Sequence, residues 1–226
     1  MAIIITGSSD RLQRIQEQDW KSAKADFVDG FPPWETFEHY DTVIDLSLEQ
    51  HPERLKRYMS WEGKLIIGTA VARRLGELVM VNDSPLDATI VGMNGYPGFV
   101  ELDHWEVSAF SEDDFEKAST ELQKVGIRAE RVTDSIGMVR MRVLANIINE
   151  AYLMVQEGAA TMAAVDNAMK KGTNYPYGPF EWASRIGKGN VLRVLEALQA
   201  EYGYNRVPVS RLLREEVEQE TRELWK

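Results

Sequence analysis

The chain has 226 residues, of which 44% are hydrophobic and 27% are charged, and its formal net charge is −10. This composition is typical of a folded protein with a substantial core and room for two domains, and it excludes a disordered chain. The absence of cysteine excludes disulfides, thiolate metal sites and cysteine nucleophiles. The acidic balance, without a cluster of Lys or Arg, argues against a nucleic-acid partner.

Membrane and metal partners are not expected either. No apolar run approaches the roughly 18 residues needed to cross a bilayer, and the N-terminus lacks the basic and then apolar layout of a signal peptide. We therefore expect a cytoplasmic protein. The acidic run from Glu112 to Asp114 is typical of a helix start, where negative charge is stabilising, and we do not interpret it as a metal site.

The first half of the chain alternates short apolar runs with helical patterns. Residues 2–5 form a continuous apolar run of the kind found in a strand that is buried on both faces. Further strands are predicted at 25–28, 41–46, 64–68, 78–81, 89–91, 105–110 and 127–132. Helices are predicted after Ser9, from Pro52 and after Ser111. This alternation predicts an α/β domain with a Rossmann-like, doubly wound, mainly parallel sheet.

From Asp134 onward the strand signals stop and helical patterns take over. Apolar residues from Leu144 to Val155 recur at the spacing of one buried helix face, and this helix is predicted to end at Gly158. Thr161 can cap the next helix, and two more are predicted at 191–202 and 210–226. We therefore divide the chain into an α/β domain at 1–132 and a helical domain at 133–226.

The segment from Lys171 to Gly187 joins two of these helices. Gly172 is predicted to end the first helix in the left-handed conformation, and Pro179 to open the second at its first position. Phe180 then begins an apolar repeat at helical spacing, which Gly187 ends. Taken alone, the segment is an elbow between helices whose aromatic residues fill a core.

An ordered series of motifs runs through the second half of the chain. In chain order the motifs are Arg142-Val143-Leu144, Asn149-Glu150-Ala151, Glu157-Gly158-Ala159-Ala160-Thr161, Val165-Asp166-Asn167-Ala168-Met169-Lys170, Gly172 and Pro176-Tyr177-Gly178-Pro179-Phe180-Glu181. The series closely resembles the C-terminal helical domain of the 3-hydroxyacyl-CoA dehydrogenases. The resemblance is specific because many residues fall in one order over roughly 50 positions. The first half resembles the family more loosely, through residues 41–45 and 66–69.

The resemblance implies a Rossmann-like NAD-binding domain followed by an all-α domain of the 6-phosphogluconate-dehydrogenase type. It implies a homodimer formed through the helical domain and an acyl-CoA site in the cleft between the domains. The implied reaction, in fatty acid metabolism, is hydride exchange between a nicotinamide ring and C3 of an acyl-CoA. In the family a histidine moves the hydroxyl proton, a glutamate holds the histidine, and a serine and an asparagine position the oxygen.

The polar residues of this reaction can be sought at the matching positions. Glu106 falls on the glutamate position, but Asn94 stands where the histidine belongs, and an amide does not titrate near pH 7. Met141 stands where the oxygen-binding asparagine belongs and has no donor to offer, and the serine position falls near Ala70. His104 is the candidate substitute base, because residues 104 and 106 of a strand point to the same face; an exposed strand histidine is the other interpretation.

The cofactor motif is also altered. With Gly7 as the first glycine of the Gly-x-Gly-x-x-Gly loop, Ser9 and Leu12 occupy the other two glycine positions. In this motif a carboxylate about 20 residues beyond the glycines binds the ribose, and Asp29 lies at about that distance from Gly7. The interval before Asp41 is shorter than in the family, which predicts a shortened NAD-binding domain. We predict NAD binding that is weak or lost.

Three hypotheses for the function remain open, of which the third is a purely structural or assembly subunit that would need exposed apolar area on the last helices. The first is a divergent 3-hydroxyacyl-CoA dehydrogenase that retains NAD-dependent oxidoreduction of a 3-hydroxyacyl-CoA. The second is a non-catalytic relative that binds an acyl-CoA, a nucleotide or a protein partner as a dimer, and the substitutions at the polar positions favour it. In the first two, the predicted substrate cleft is lined by Ala70, Met141, Pro176, Gly178, Pro179 and Phe180.

Overall fold

The computed structural model describes residues 2–17, 25–82 and 85–223. The chain forms two compact units, Met1–Met138 and Val139–Lys226. In the described ranges, the helices are all too short or too polar to cross a membrane.

A seven-stranded sheet forms the centre of the first unit. Its strands in chain order are β1 Ile3–Gly7, β2 Ala25–Asp29, β3 Thr42–Asp45, β4 Leu65–Thr69, β5 Thr89–Met93, β6 His104–Ser108 and β7 Arg128–Arg131. The spatial order is β2-β1-β3-β4-β5-β6-β7, and every neighbouring pair is parallel except the antiparallel pair β5 and β6. The predicted doubly wound, mainly parallel sheet is therefore confirmed.

Apolar side chains project from both faces of the sheet, as the continuous apolar runs predict. The helices of this unit are α1 Ser9–Gln16, α2 Leu55–Tyr58, α3 Leu75–Met80 and α4 Glu112–Lys124. On one face, Ile5 and Ile44 pack with Leu12 of α1 and Leu122 of α4. On the other face, the alternate strand residues pack with α2, α3 and a 3-10 helix at Trp34–His39.

The strand predicted at residues 78–81 is wrong, because these residues end α3 and continue just beyond it. Leu75 and Leu78 are buried, whereas Met80 and Val81 are 81% and 70% exposed. One side of the segment therefore faces the core, at helical spacing. Four consecutive apolar residues do not distinguish a strand from a buried turn of helix.

The connection from β2 to β3 is short. In the common doubly wound order 3-2-1-4-5-6, three strands lie on one side of the point where the order reverses. Here β2 and β1 lie on that side, and β2 is the outer strand of the described sheet. Aromatic rings cover the sheet where a longer crossover would place a helix: Phe37 is fully buried, and its ring centroid lies 5.8 Å from that of Trp34 and 5.7 Å from that of Trp61.

The first unit ends at Met138, somewhat beyond the boundary that the sequence predicts at residue 132. The reason is a set of hydrogen bonds made by the intervening segment. The Asp134 carboxylate accepts the backbone N–H groups of Leu75 and Gly76, both at 2.8 Å, and the Gly137 N–H donates to the Val71 carbonyl at 2.7 Å. These bonds hold residues 134–137 to the α/β unit, although no strand pattern marks them.

The second unit is helical, as predicted. Its helices are α5 Arg140–Gln156, α6 Met162–Thr173, α7 Pro179–Ile186, α8 Lys188–Tyr202 and α9 Arg211–Glu223. Helix α5 is central and contacts the other four. Its Asn149 side chain donates to the Pro208 carbonyl and accepts the Ser210 N–H, both at 2.9 Å, and its Gln156 accepts the Arg211 N–H at 2.8 Å. These bonds fix the start of α9 against α5.

Most predicted helix ends of the second unit are confirmed. Thr161 caps α6 by accepting the Ala164 N–H at 3.2 Å, and Pro179 is the first residue of α7. The prediction that Gly172 ends α6 is wrong, because Gly172 is helical and Asn174 adopts the left-handed conformation with φ 57°. Asparagine is the residue after glycine that most readily takes this conformation, and Asn174 lies two positions after Gly172.

Candidate functional site

Several buried polar side chains lie where the central strands of the first unit end. The carboxyl ends of parallel strands share one edge of a sheet, and ligands of doubly wound folds bind there, at the reversal of strand order. In this protein the order reverses between β1 and β3. Buried polar residues at or near this edge are Arg11, Asp45, Glu49, Thr69, Asn94 and Glu106. This edge of the first unit is the candidate site.

The turn from β1 to α1 brings together the three predicted cofactor-binding residues. The Ser9 hydroxyl donates to the Asp29 carboxylate at 2.7 Å, and both side chains are exposed. Gly7 lies beside them, and a Cβ at this position would lie only 2.8 Å from the Cβ of Leu46. Gly7 therefore permits close packing of β1 against the segment after β3. Leu12, at the third glycine position, is buried in the core.

Arg11 turns inward from the same turn of helix. It is 9% exposed, its guanidinium donates to the Leu46 carbonyl, and its Cζ lies 5.6 Å from the centre of the Tyr96 ring. The same carbonyl accepts the Thr69 hydroxyl at 2.9 Å. A buried guanidinium is costly unless it is hydrogen-bonded, so this carbonyl and the aromatic face stabilise Arg11 in place.

Glu49 joins the loops after β3, β4 and β5. It follows β3, is 7% exposed, and accepts the backbone N–H groups of Val71 and Ala72 at 2.6 and 3.0 Å. It also accepts the hydroxyl of the fully buried Tyr96. Arg11, Glu49 and Tyr96 are not among the site residues predicted from the sequence. The available signal was their position in turns after buried parallel strands.

The structure brings Asn94 and Glu106 together. The Asn94 side-chain amide donates to the Glu106 carboxylate at 3.3 Å, and the two residues are 2% and 3% exposed. The Tyr96 N–H donates to the side-chain oxygen of Asn94 at 3.4 Å. An asparagine thus occupies the partner position of the glutamate, and its amide can hold a carboxylate but cannot exchange a proton near pH 7.

His104 lies at the start of β6 in a different environment from Glu106. Its Nδ1 lies 3.0 Å from the Asp103 carboxylate and 3.1 Å from the Arg128 guanidinium, and its side chain is 37% exposed. Hydrogen bonds from His104 and Arg128 lower the pKa of Asp103 below its usual value. This group is a surface cluster of charges, whereas Glu106 is buried.

A further buried carboxylate, Asp45, ends β3. It is fully buried and accepts two bonds of 3.1 Å from Arg54, one of 3.1 Å from the Tyr58 hydroxyl and one of 2.9 Å from the Ser47 N–H. Burial raises the pKa of Asp45 above its ordinary value, and the charge of Arg54 opposes the increase. Its oxygens are occupied by these donors, so the arrangement is structural.

The residues predicted to line the substrate cleft divide between the two units. Ala70 is buried at the end of β4, where its N–H donates to the Met93 carbonyl at 3.1 Å. Met141 is buried in the first turn of α5. The other four lie in the loop before α7 and in its first turn: Pro176, Gly178, Pro179 and Phe180.

The helical unit has a groove of about 690 Å³, and two of these four residues, Pro176 and Phe180, line it. Phe180 packs edge-on against Tyr152 with ring centroids 4.8 Å apart, and its N–H donates to Asp166 at 2.9 Å. The groove is also lined by Lys170, which pairs with Glu181. Its wall thus carries charges of both signs beside aromatic rings.

The comparison with known proteins identifies the helical unit. Residues 137–223 match the C-terminal domain of 3-hydroxyacyl-CoA dehydrogenase. A 3-hydroxyadipyl-CoA dehydrogenase of Escherichia coli is 42% identical over 99 residues, which are 44% of this chain and 21% of that protein. The helical unit belongs to the family of 3-hydroxyacyl-CoA dehydrogenase C-terminal domains.

Relatives of the 3-hydroxyacyl-CoA dehydrogenase family also match the first unit. A probable 3-hydroxybutyryl-CoA dehydrogenase of Bacillus subtilis is 29% identical over 191 residues, 81% of this chain and 66% of that protein. The crystal structure of an (S)-3-hydroxybutyryl-CoA dehydrogenase from Ralstonia eutropha superposes with a TM-score of 0.71 at 20% identity. The superposition covers 95% of this chain and 92% of the Ralstonia chain, and it shows that the two share a fold. The matched residues span about a fifth of the length of the Escherichia coli relative and about two thirds of the length of the Bacillus subtilis relative.

The family consists of NAD-dependent dehydrogenases, so the fit of this cofactor can be tested on the first unit. The motif needs glycines that let a pyrophosphate approach the backbone and bring helix and strand close together. Here Ser9 and the buried Leu12 stand at two of these positions, and only Gly7 retains the glycine, where it packs closely against Leu46. Of the expected groups, Asp29 is present and exposed beside the turn. The residues at this edge do not fit a dinucleotide in the way the motif requires.

Proposed function

We propose that this chain serves the chemistry of its family, the interconversion of 3-hydroxyacyl-CoA and 3-oxoacyl-CoA, as an acyl-CoA-binding member with weak or lost NAD-dependent catalysis. The match of residues 137–223 to the family's C-terminal domain supports the acyl-CoA class. The hydrogen bond between Asn94 and Glu106 is the observation that supports weak or lost catalysis.

Oxidation of a 3-hydroxyl group, or reduction of a 3-oxo group, requires a group that takes or gives the hydroxyl proton. A positioned acid or base typically contributes about 10²- to 10⁴-fold to the rate. Asn94 occupies the position beside Glu106 where the resemblance implies the histidine, and it offers only hydrogen bonds. The Glu106 carboxylate is therefore held by an amide that cannot transfer a proton.

The remaining features of the proposal follow from the family and the composition. We propose a homodimer formed through the helical unit, a role in fatty acid metabolism, and a cytoplasmic location. We propose no nucleic-acid or membrane partner, because the chain has a formal net charge of −10 and phosphate backbones select basic surfaces.

The activity and the binding can be tested separately on the purified chain. We expect acetoacetyl-CoA to bind in a calorimetric titration, and we expect no oxidation of NADH above background in its presence. Absence of acetoacetyl-CoA binding would overturn the substrate class. Steady turnover of acetoacetyl-CoA with NADH would overturn the loss of catalysis.

One variant pair tests the remaining candidate base. If turnover is observed, His104→Ala should be compared with His39→Ala, which removes another exposed histidine of the same unit. Selective loss of turnover in His104→Ala would identify His104 as the base and establish a divergent active dehydrogenase. Equal turnover in both variants would exclude His104 from the reaction.

A further inference from the structure

The crevice at the reversal of strand order has two sides with opposite properties. A dinucleotide in a doubly wound fold lies across this crevice, with one half over the strands on each side. On the side of β1 and β2, Ser9 and Asp29 are exposed and hydrogen-bonded to each other. On the side of β3, β4 and β5, the polar groups at the strand ends are buried.

The buried side is filled by side chains of the chain itself. Arg11 reaches from α1 to the Leu46 carbonyl after β3, and its guanidinium faces the ring of Tyr96 from the loop after β5. Arg14, on the same helix, lies 3.7 Å from Glu101 in the continuation of that loop. Helix α1 is thus joined across the crevice to the loop after β5.

Glu49 takes the donors that a ligand would use. The backbone N–H groups of Val71 and Ala72 follow β4 at the carboxyl edge, and adjacent N–H groups of this kind bind anionic or carbonyl oxygens. Here both donate to the Glu49 carboxylate, which also accepts the Tyr96 hydroxyl. An acceptor that belongs to the protein therefore occupies them.

The three side chains form a balanced set. Arg11 carries a positive charge, Glu49 a negative charge, and Tyr96 lies between them in contact with both. Each is at most 9% exposed. Displacing one of them would leave a buried charge or donor without its partner, and such changes are strongly unfavourable.

We propose that Arg11, Glu49 and Tyr96 form an internal plug, which occupies the β3–β5 side of the crevice and excludes the nicotinamide half of NAD. The plug deepens the proposed function, since it gives the physical cause of weak or lost NAD binding. It requires the first unit to be fully folded without a cofactor.

The experiment compares NADH binding by the wild-type chain and by a variant without the plug. Binding is followed by energy transfer from tryptophan to NADH. For the wild type we expect no transfer and no shift of the melting temperature at millimolar NADH. For Arg11→Ala/Tyr96→Ala we expect a lower melting temperature and at least tenfold stronger NADH binding. Gln13→Ala is the matched control, because it removes an exposed side chain of the same helix outside the crevice, and its NADH binding should equal that of the wild type.

Three outcomes would overturn the plug. They are micromolar NADH binding by the wild type, a folded double variant without increased binding, and an equal increase in Gln13→Ala. If the double variant does not fold, amide hydrogen exchange of the wild type decides: the plug requires slow exchange at Val71 and Ala72, unchanged by NADH. Fast exchange there, or protection by NADH, would contradict it. Acetoacetyl-CoA binding is measured independently, so failure of the plug and failure of the proposed substrate class can be told apart.

Discussion

Asp45 illustrates, at the scale of single residues, how one neighbour controls a buried charge. Burial raises its pKa, because a carboxylate loses its hydration in the interior, and Arg54 lowers it through charge and hydrogen bonds. The folded chain therefore binds a proton at Asp45 more readily than the unfolded chain does. The stability gained from that proton is present at low pH and is lost as the pH rises through the folded-state pKa.

Arg54→Met should make the free energy of unfolding depend more steeply on pH. Without the guanidinium, the pKa of Asp45 rises further, and at pH 7 a buried carboxylate remains without its cation. We expect a loss of about 3–5 kcal/mol in the free energy of unfolding at pH 7, and a smaller loss at pH 5. Urea unfolding at the two pH values measures this difference.

Arg57→Met is the matched control for this prediction. Arg57 is exposed and lies over the Trp34 ring, with its Cζ 4.7 Å from the ring centre. Its removal should cost about 1 kcal/mol or less, with little dependence on pH. A loss in Arg54→Met that stays constant between pH 7 and pH 5 would show that Asp45 does not respond to Arg54.

At the scale of elements, the end of α6 depends on one residue in the left-handed conformation. Asn174 has φ 57° and ψ 32°, and the chain then turns into the loop that leads to α7. Residues with a Cβ are disfavoured here by roughly 1–2 kcal/mol, whereas glycine is not, and asparagine lies between them.

Asn174→Ala should therefore destabilise the helical unit by about 1 kcal/mol, and Asn174→Gly should leave it unchanged or slightly more stable. The midpoint of thermal unfolding followed by circular dichroism measures both changes. Equal midpoints for the two variants would show that the backbone conformation at residue 174 is not what ends the helix.

At the scale of the whole molecule, each unit is organised around one central element, the sheet in the first and α5 in the second. Tyr152 of α5 is 1% exposed and donates to Glu216 of α9 at 2.9 Å, and Lys188 of α8 contacts the same carboxylate at 2.8 Å. Burial and Glu216 raise the pKa of Tyr152, so its hydroxyl stays protonated and remains a donor.

Tyr152→Phe removes this donor without changing the shape of the ring. A hydrogen bond to a charged group contributes about 1.5–3 kcal/mol, so we expect a loss of that size in the free energy of unfolding of the helical unit. Tyr204→Phe is the control, because Tyr204 is 67% exposed. Equal stability of the two variants would rule out Tyr152 as a link between α5 and α9.

The predictability of the site differs between its parts. Gly7, Ser9 and Asp29 could be placed together because a strand, a turn and a motif of known spacing relate them. Asn94 and Glu106 could be paired because they stand at the positions of the family's histidine and glutamate, whose separation along the chain is known. The contact of Arg11 with Tyr96 joins α1 to the loop after β5, and local patterns do not report such distant pairs.

The sequence by itself determined the α/β and helical halves, most helix ends and the family, since apolar periodicity, capping residues and ordered motifs are local properties of the chain. Only the tertiary structure decided that residues 78–80 belong to a helix, that residues 134–137 belong to the first unit and that Arg11, Glu49 and Tyr96 fill the crevice. These features depend on which side chains meet after the sheet is assembled, because burial and hydrogen-bond partners are properties of the folded chain.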